Sequence, residues 1–230
     1  MVRAQLKNIA ALTLGVAAAV MLTACGSDGS GGGQEPGDAV RASLAAAKQA
    51  TSFRLVGSGT DSGKPLQFDI HFGSNGSDGS VTMSGSKIAL KVVGRFVYFQ
   101  APEAFYRAQG GGEASTALVG KWVKVAKDSQ QGAGFSQLSD SQALIKSFSG
   151  SLTDSDAAGL KRLGSGTVDG VASTRYGDDG GSIDIAASGK PYPLKLVSKD
   201  KGDGGMLTFS QWDVPFAVTL PPAAQTVTPS

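Results

Sequence analysis

A single thiol stands in this 230-residue chain, and its neighbours decide what chemistry is open to it. Cys25 follows Leu22, Thr23 and Ala24. Small side chains at 23 and 24 fit the narrow site of a peptidase that cuts just before a cysteine, and the Cys25 thiol is the one soft nucleophile here able to carry a thioether-linked diacylglycerol. Other reactive groups lack companions. The one histidine, His71, falls on the polar phase of an alternating run, which reads as a solvent-facing or edge position, and no Ser or Cys nucleophile motif accompanies it. One cysteine and one histidine cannot assemble the cysteine-rich shell of a structural zinc site. The chain has neither a GxSxG elbow nor a P-loop, and Gly164-Ser165-Gly166 precedes a short strand where a dinucleotide fingerprint needs a helix to follow. The acidic groups Asp154 to Asp156, Asp178-Asp179 and Asp200 to Asp203 lack the Gly and Glu placement of a calcium loop. The residues therefore offer one lipidation site, no catalytic residue, no metal site and no cofactor.

What precedes Cys25 supports that use of the thiol. Arg3 and Lys7 are followed by a charge-free stretch from Ile9 to Leu22, mostly Ala, Leu and Val, which gives residues 1–24 the form of a secretory signal peptide. At about 14 residues the apolar run falls short of the roughly 20 that a transmembrane helix needs. Leu22-Thr23-Ala24-Cys25 resembles a bacterial lipobox, the alternative being an ordinary cleaved signal with Cys25 near the cut. Two acyl chains on Cys25 meet the two-signal requirement for stable membrane attachment. The expected location is the outer face of a bacterial plasma membrane. Loss of Arg3 and Lys7 brings the 21 bases down to 19, level with the 19 acids, so the mature chain lacks the charge to grip nucleic acid or anionic lipid. Residues 25–37 then form the lipidated cysteine and a Gly/Ser tether, too poor in apolar groups to order itself.

The elements that follow carry two different periods. The chain is 40% hydrophobic but only 7% aromatic, with 33 glycines, enough for a core in a turn-rich domain expected over 38–222. From Asp38, a candidate N-cap, Val40, Leu44, Ala47 and Ala50 make a weak helical stripe ending near Thr51. From Phe53 the period becomes two: Phe53 and Leu55, then Leu66, Phe68, Ile70 and Phe72, then Val81 and Met83, then Ile88, Leu90 and Val92, then 95–100. A further strand is expected at 121–125, and a helix at 140–152 with Leu144, Ile145, Phe148 and Leu152 as its stripe and Ser139 or Asp140 as its cap. A second meander follows at 166–168, 171–176, 182–186, 194–198 and 206–212, its first turn at Asp169-Gly170. The tail 223–230 has no pattern and is expected to be disordered.

The fold class is therefore α+β. About ten antiparallel strands cannot stay flat, because strand twist accumulates, so they curl over the helices as a half-barrel. Its interior is either packed solid or left as a cavity for an apolar ligand.

Several phrases, in their order, resemble the LppX/LprG-type lipoproteins of actinobacteria. They are the lipobox ending at Cys25, Ala50-Thr51-Ser52-Phe53, Gly120-Lys121-Trp122-Val123, Asp169-Gly170-Val171, Thr174-Arg175-Tyr176 and Pro193-Leu194. The Gly-rich stretches 110–120 and 130–134 depart from that pattern, at the cavity's rim. The resemblance implies a LolA/LolB-like shape and a hydrophobic cavity that takes acyl lipid or lipoglycan, with carriage through the cell envelope as a further implication. Its lining would be Phe53, Leu55, Leu66, Phe68, Ile70, Phe72, Val81, Met83, Ile88, Leu90 and Val92 from the sheet, with Leu144, Ile145 and Phe148 from the covering helix. Trp122, Trp212, Tyr98, Tyr106 and Tyr176 are candidates for cavity, rim or plain core, Trp212 favouring core. The competing reading is a packed, non-enzymatic envelope module whose function lies in a protein partner.

Overall fold

The structure, a computed structural model, describes residues 35–61, 63–108, 110, 112–150, 159–199 and 204–229. The signal peptide, Cys25, most of the expected tether and two of the three acidic groups (154–156 and 200–203) lie outside the described residues.

The first helix, α1, spans Pro36–Gln49, three residues earlier than Asp38 as N-cap would have it. Pro36 explains the difference: its fixed φ suits a first helical turn and it has no N–H to leave unsatisfied. Asp38 sits inside that turn, paired with Arg41 at 2.8 Å. Six strands follow as a meander, β1 (Phe53–Asp61), β2 (Lys64–Gly73), β3 (Gly76–Met83), β4 (Ser86–Val93), β5 (Phe96–Gln100) and β6 (Trp122–Ala126). Between β5 and β6 the chain leaves the sheet through α2 (Glu103–Ala108) and a 3-10 turn, Glu113–Leu118. After β6 come a 3-10 segment, Gly132–Ser139, and α3, Ser141–Gly150. Asp140 caps α3 as expected, its Oδ1 accepting from the N–H groups of Gln142 at 2.9 Å and Ala143 at 3.1 Å.

The second meander comprises β7 (Lys161–Val168), β8 (Val171–Gly177), β9 (Gly181–Ala186), β10 (Pro193–Ser198) and β11 (Gly205–Ser210). The β7–β8 turn has Asp169 at φ 48° and Gly170 at φ 80°, the pair of left-handed residues that a two-residue hairpin of this twist demands. β7 is longer than the expected 166–168 and carries a bulge between Arg162 and Gly164. β11 lies antiparallel to β1, from Arg54 opposite Ser210 to Gly59 opposite Gly205, so the two meanders join through a strand pair at the middle of one sheet.

That sheet has twelve strands, in the order β12-β6-β5-β4-β3-β2-β1-β11-β10-β9-β8-β7, open and curved. Eleven of them correspond to the segments expected from alternation, and the tail supplies the twelfth: β12, Thr226–Val227, pairs parallel with β6 after a 3-10 turn at Ala223–Gln225. Two residues are too few for alternation to be visible in sequence. From β11 the chain reaches β6 along the outer face. There Val218 exchanges two hydrogen bonds with the Asn75 side chain, and Phe216 stacks on His71 with ring centroids 3.8 Å apart. His71 is thus covered rather than solvent-facing, and burial lowers its pKa.

Inside the curve, α1 lies over β9 and β10, the segment Gly132–Ser139 lies over β3, β4 and β5, and α3 touches both. The stretch around 130–134, a Gly-rich loop by composition, is part of this cover.

Candidate functional site

Strand registers turn the alternating residues into rows across the concave face. One row runs Phe209, Leu55, Ile70, Gly79, Leu90, Phe99, Val123, each opposite the next on the neighbouring strand. A second runs Leu207, Gly57, Phe68, Val81, Ile88. In the second, Gly57 is required: a Cβ there would sit 2.1 Å from Cζ of Phe68, whose ring lies flat across it.

These rows and their cover make one buried apolar cluster. Of the residues expected to line an interior, Phe53, Leu55, Leu66, Phe68, Ile70, Phe72, Val81, Ile88, Leu90, Val92, Leu144 and Ile145 all belong to it, and Met83 is partly buried against it. Phe148 is in α3, but its side chain lies outside the described residues. Sequence reasoning missed Val97, Phe99, Val123, Val125, Phe135, Leu138, Leu207 and Phe209 as members. The strand residues among them alternate as clearly as the ones chosen. Phe135 and Leu138 carry no strand signal, since they reach the face from a 3-10 segment held by the hydrogen bond from Ser77 Oγ to the Leu138 carbonyl, 2.5 Å.

Burial is uneven along the strands. On β2, Ile70 and Phe72 are 0% and 1% exposed, whereas Leu66 and Phe68 are each 8% exposed; on β11, Phe209 is 3% and Leu207 9% exposed. The face is sealed across the sheet at the Phe53–Phe72 end; toward the other end Leu66, Phe68, Leu207 and the partly buried Met83 are looser, while Val81 and Ile88 stay at 1% and 0%. A smaller cluster, Ala39, Val40, Tyr176, Ile183 and Ile185, lies under α1, with Leu196 packed against both.

The sealed end is tied by a polar corner. Asp213 Oδ1 accepts from the Thr51 N–H at 2.9 Å, and its Oδ2 accepts from Lys190 at 2.8 Å and from the Tyr192 hydroxyl. These donors hold the Asp213 carboxyl far below the usual carboxylate range. Trp212 stacks on Tyr192 with centroids 4.6 Å apart, faces Phe53 at 4.8 Å, and donates Nε1–H to the Pro193 carbonyl at 3.0 Å. Thr51-Ser52-Phe53, Pro193 and Trp212, far apart in sequence, thus meet at one place.

Charged groups keep to the outer face. Arg54 binds Asp69 through two hydrogen bonds of 2.8 and 2.6 Å, which lower the Asp69 pKa, Lys91 pairs with Asp78 at 2.5 Å, and Arg175 pairs with Asp184 at 3.0 Å. Trp122 and Tyr98 belong to that face too, beside Lys91 and Lys124. They do not line the interior. Tyr106 and Tyr176 do, in the larger and smaller cluster respectively, and burial raises the Tyr106 pKa. Among the described residues no three His, Cys, Asp or Glu side chains converge as a metal shell, and no helix is long and apolar enough to cross a membrane.

No protein-family model matches the chain, and no curated protein matches it. Among solved structures, LprF from Mycobacterium bovis is similar over 82% of this chain and 96% of its own, with 16% identity and a TM-score of 0.55. The lipoprotein LppX from Mycobacterium tuberculosis is similar over 80% of this chain and 97% of its own, with 17% identity and a TM-score of 0.49. The chain has the fold of LprF, which is the fold that the sequence resemblance implied.

Proposed function

We propose that this protein is a lipid-anchored, non-enzymatic lipoprotein that holds the acyl chains of a lipid or lipoglycan against the concave face of its sheet, at the outer face of the plasma membrane. Cys25 is the anchor. The single observation that carries the reading is the continuous apolar face, seven strands wide, that gathers the expected lining residues into one cluster while the paired charges stay on the opposite face. The likeness to LprF supports it through the fold.

A packed module acting through a protein partner has its own supporting observation. Phe53, Leu55, Ile70, Phe72, Val81, Ile88, Leu90 and Val92 are each 0–1% exposed, so they are packed on all sides and border no space large enough for a water molecule. On the lipid-binding reading, then, the cover must lift and Phe68 must move before a chain enters. Each buried methylene returns about 0.8 kcal/mol, so affinity should climb with chain length until the space is full.

The test is native mass spectrometry followed by organic extraction, on residues 26–230 expressed in an actinobacterial host; that piece retains every described residue. A stoichiometric acyl lipid is the expected result, and Phe68→Asp should lose it, with circular dichroism separating lost binding from lost fold. An empty wild-type protein that also fails to take up a fluorescent fatty acyl probe would overturn the reading in favour of the packed module.

A further inference from the structure

Tyr106 is 7% exposed, and its hydroxyl is buried with no hydrogen-bond partner. A buried phenol ordinarily finds a partner, because leaving its O–H unpaired in apolar surroundings forfeits the bonds it made to water. For packing alone, phenylalanine would serve better here.

The place of this hydroxyl in the fold gives it a use. Tyr106 belongs to α2, in the excursion that leaves the sheet after Gln100 and returns at Trp122. Gln100 is opposite Ala89 on β4, three residues before Ser86 is reached, and Ser86 is opposite Met83, which is opposite Leu66. Since β5 runs antiparallel to β4, the chain that continues past Gln100 leaves the sheet heading toward the looser end of the concave face. Phe105 and Leu118, from the same excursion, pack against the apolar cluster as a partial cover.

We propose that the looser end is the mouth through which an acyl chain enters, and that the Tyr106 hydroxyl donates a hydrogen bond to the ester carbonyl at the head of that chain. The inference rests on the acyl-binding reading above and adds the chemical class of the ligand's head. An ester fits better than a carboxylate or phosphate, because the neighbouring cation, Arg107, is turned to Glu103 at 2.8 Å on the exposed side, and an anion taken into this apolar setting would have no counter-charge.

The experiment measures displacement of a fluorescent fatty acyl probe from residues 26–230 by methyl hexadecanoate and by hexadecane, in the wild type and in Tyr106→Phe. The wild type should prefer the ester about fivefold, the yield of one neutral hydrogen bond, and Tyr106→Phe should bind the two alike while keeping its affinity for the alkane. The empty variant should melt no lower than the wild type, since an unpartnered hydroxyl has been removed. A preference for the ester that survives in Tyr106→Phe, no preference in the wild type, or a lowered melting temperature of the empty variant would each overturn this inference alone. Failure of the wild type to bind any of the three compounds would overturn the acyl-binding reading with it.

Discussion

The strands of the first meander and the outermost strands of the second bury very different amounts of side chain. On β2 every second residue from Leu66 to Phe72 is buried, and with β1, β3–β6, β11 and the cover it contributes to a cluster of 23 described residues. On β7 seven of eight residues are exposed, and β8 and β9 give only Tyr176, Ile183 and Ile185 to a cluster of five. One sheet therefore contains a thick part and a thin part. Burial on this scale governs local opening, so the thick part sets global stability while the thin part opens at lower cost.

Four substitutions sharpen or break this contrast. Phe53→Ala, at the sealed end of the thick part and stacked on Phe72 with centroids 4.8 Å apart, should cost about 4 kcal/mol in urea denaturation. A loss below about 1 kcal/mol would mean that the frame does not depend on its sealed end. Gly57→Ala lies in β1, where the two meanders join; the added methyl meets the Phe68 ring and should cost about 2 kcal/mol by overpacking. Phe68→Ala in the same chain should recover part of that loss, a coupling readable from a double-mutant cycle. Leu163→Ser on β7, where the wild-type side chain is 52% exposed, should stay within about 0.5 kcal/mol of wild type. A large effect there would show β7 to be covered by something in solution and would remove the contrast.

How much of this was legible in the sequence follows from the length over which each signal acts. Alternation over four to eight residues placed β2 and β4 and put their apolar phase inside, because the period-two rule is local. The hairpin at Asp169-Gly170 and the Asp140 cap were legible for the same reason. The seam between β1 and β11 was not, since nothing near Arg54 marks Ser210 as its partner. Nor was the Asp213 corner, which joins Thr51, Lys190 and Tyr192 across the chain. Tyr106 could be named as a candidate aromatic, but its lack of a hydrogen-bond partner exists only in three dimensions.

An open sheet ends in two edges, and the two are finished differently. β12 covers part of β6 with two parallel residues, so that side is closed by the chain's own end. The other margin, β7, pairs only with β8 among the described residues; it begins with Lys161 and Arg162 and is broken by the bulge before Gly164. Charge and irregularity on an edge strand deny a second molecule a flat ladder to zip onto. An eight-residue margin interrupted in this way offers a second copy of the sheet no unbroken ladder to extend, so growth of the sheet from molecule to molecule is disfavoured at its own edge.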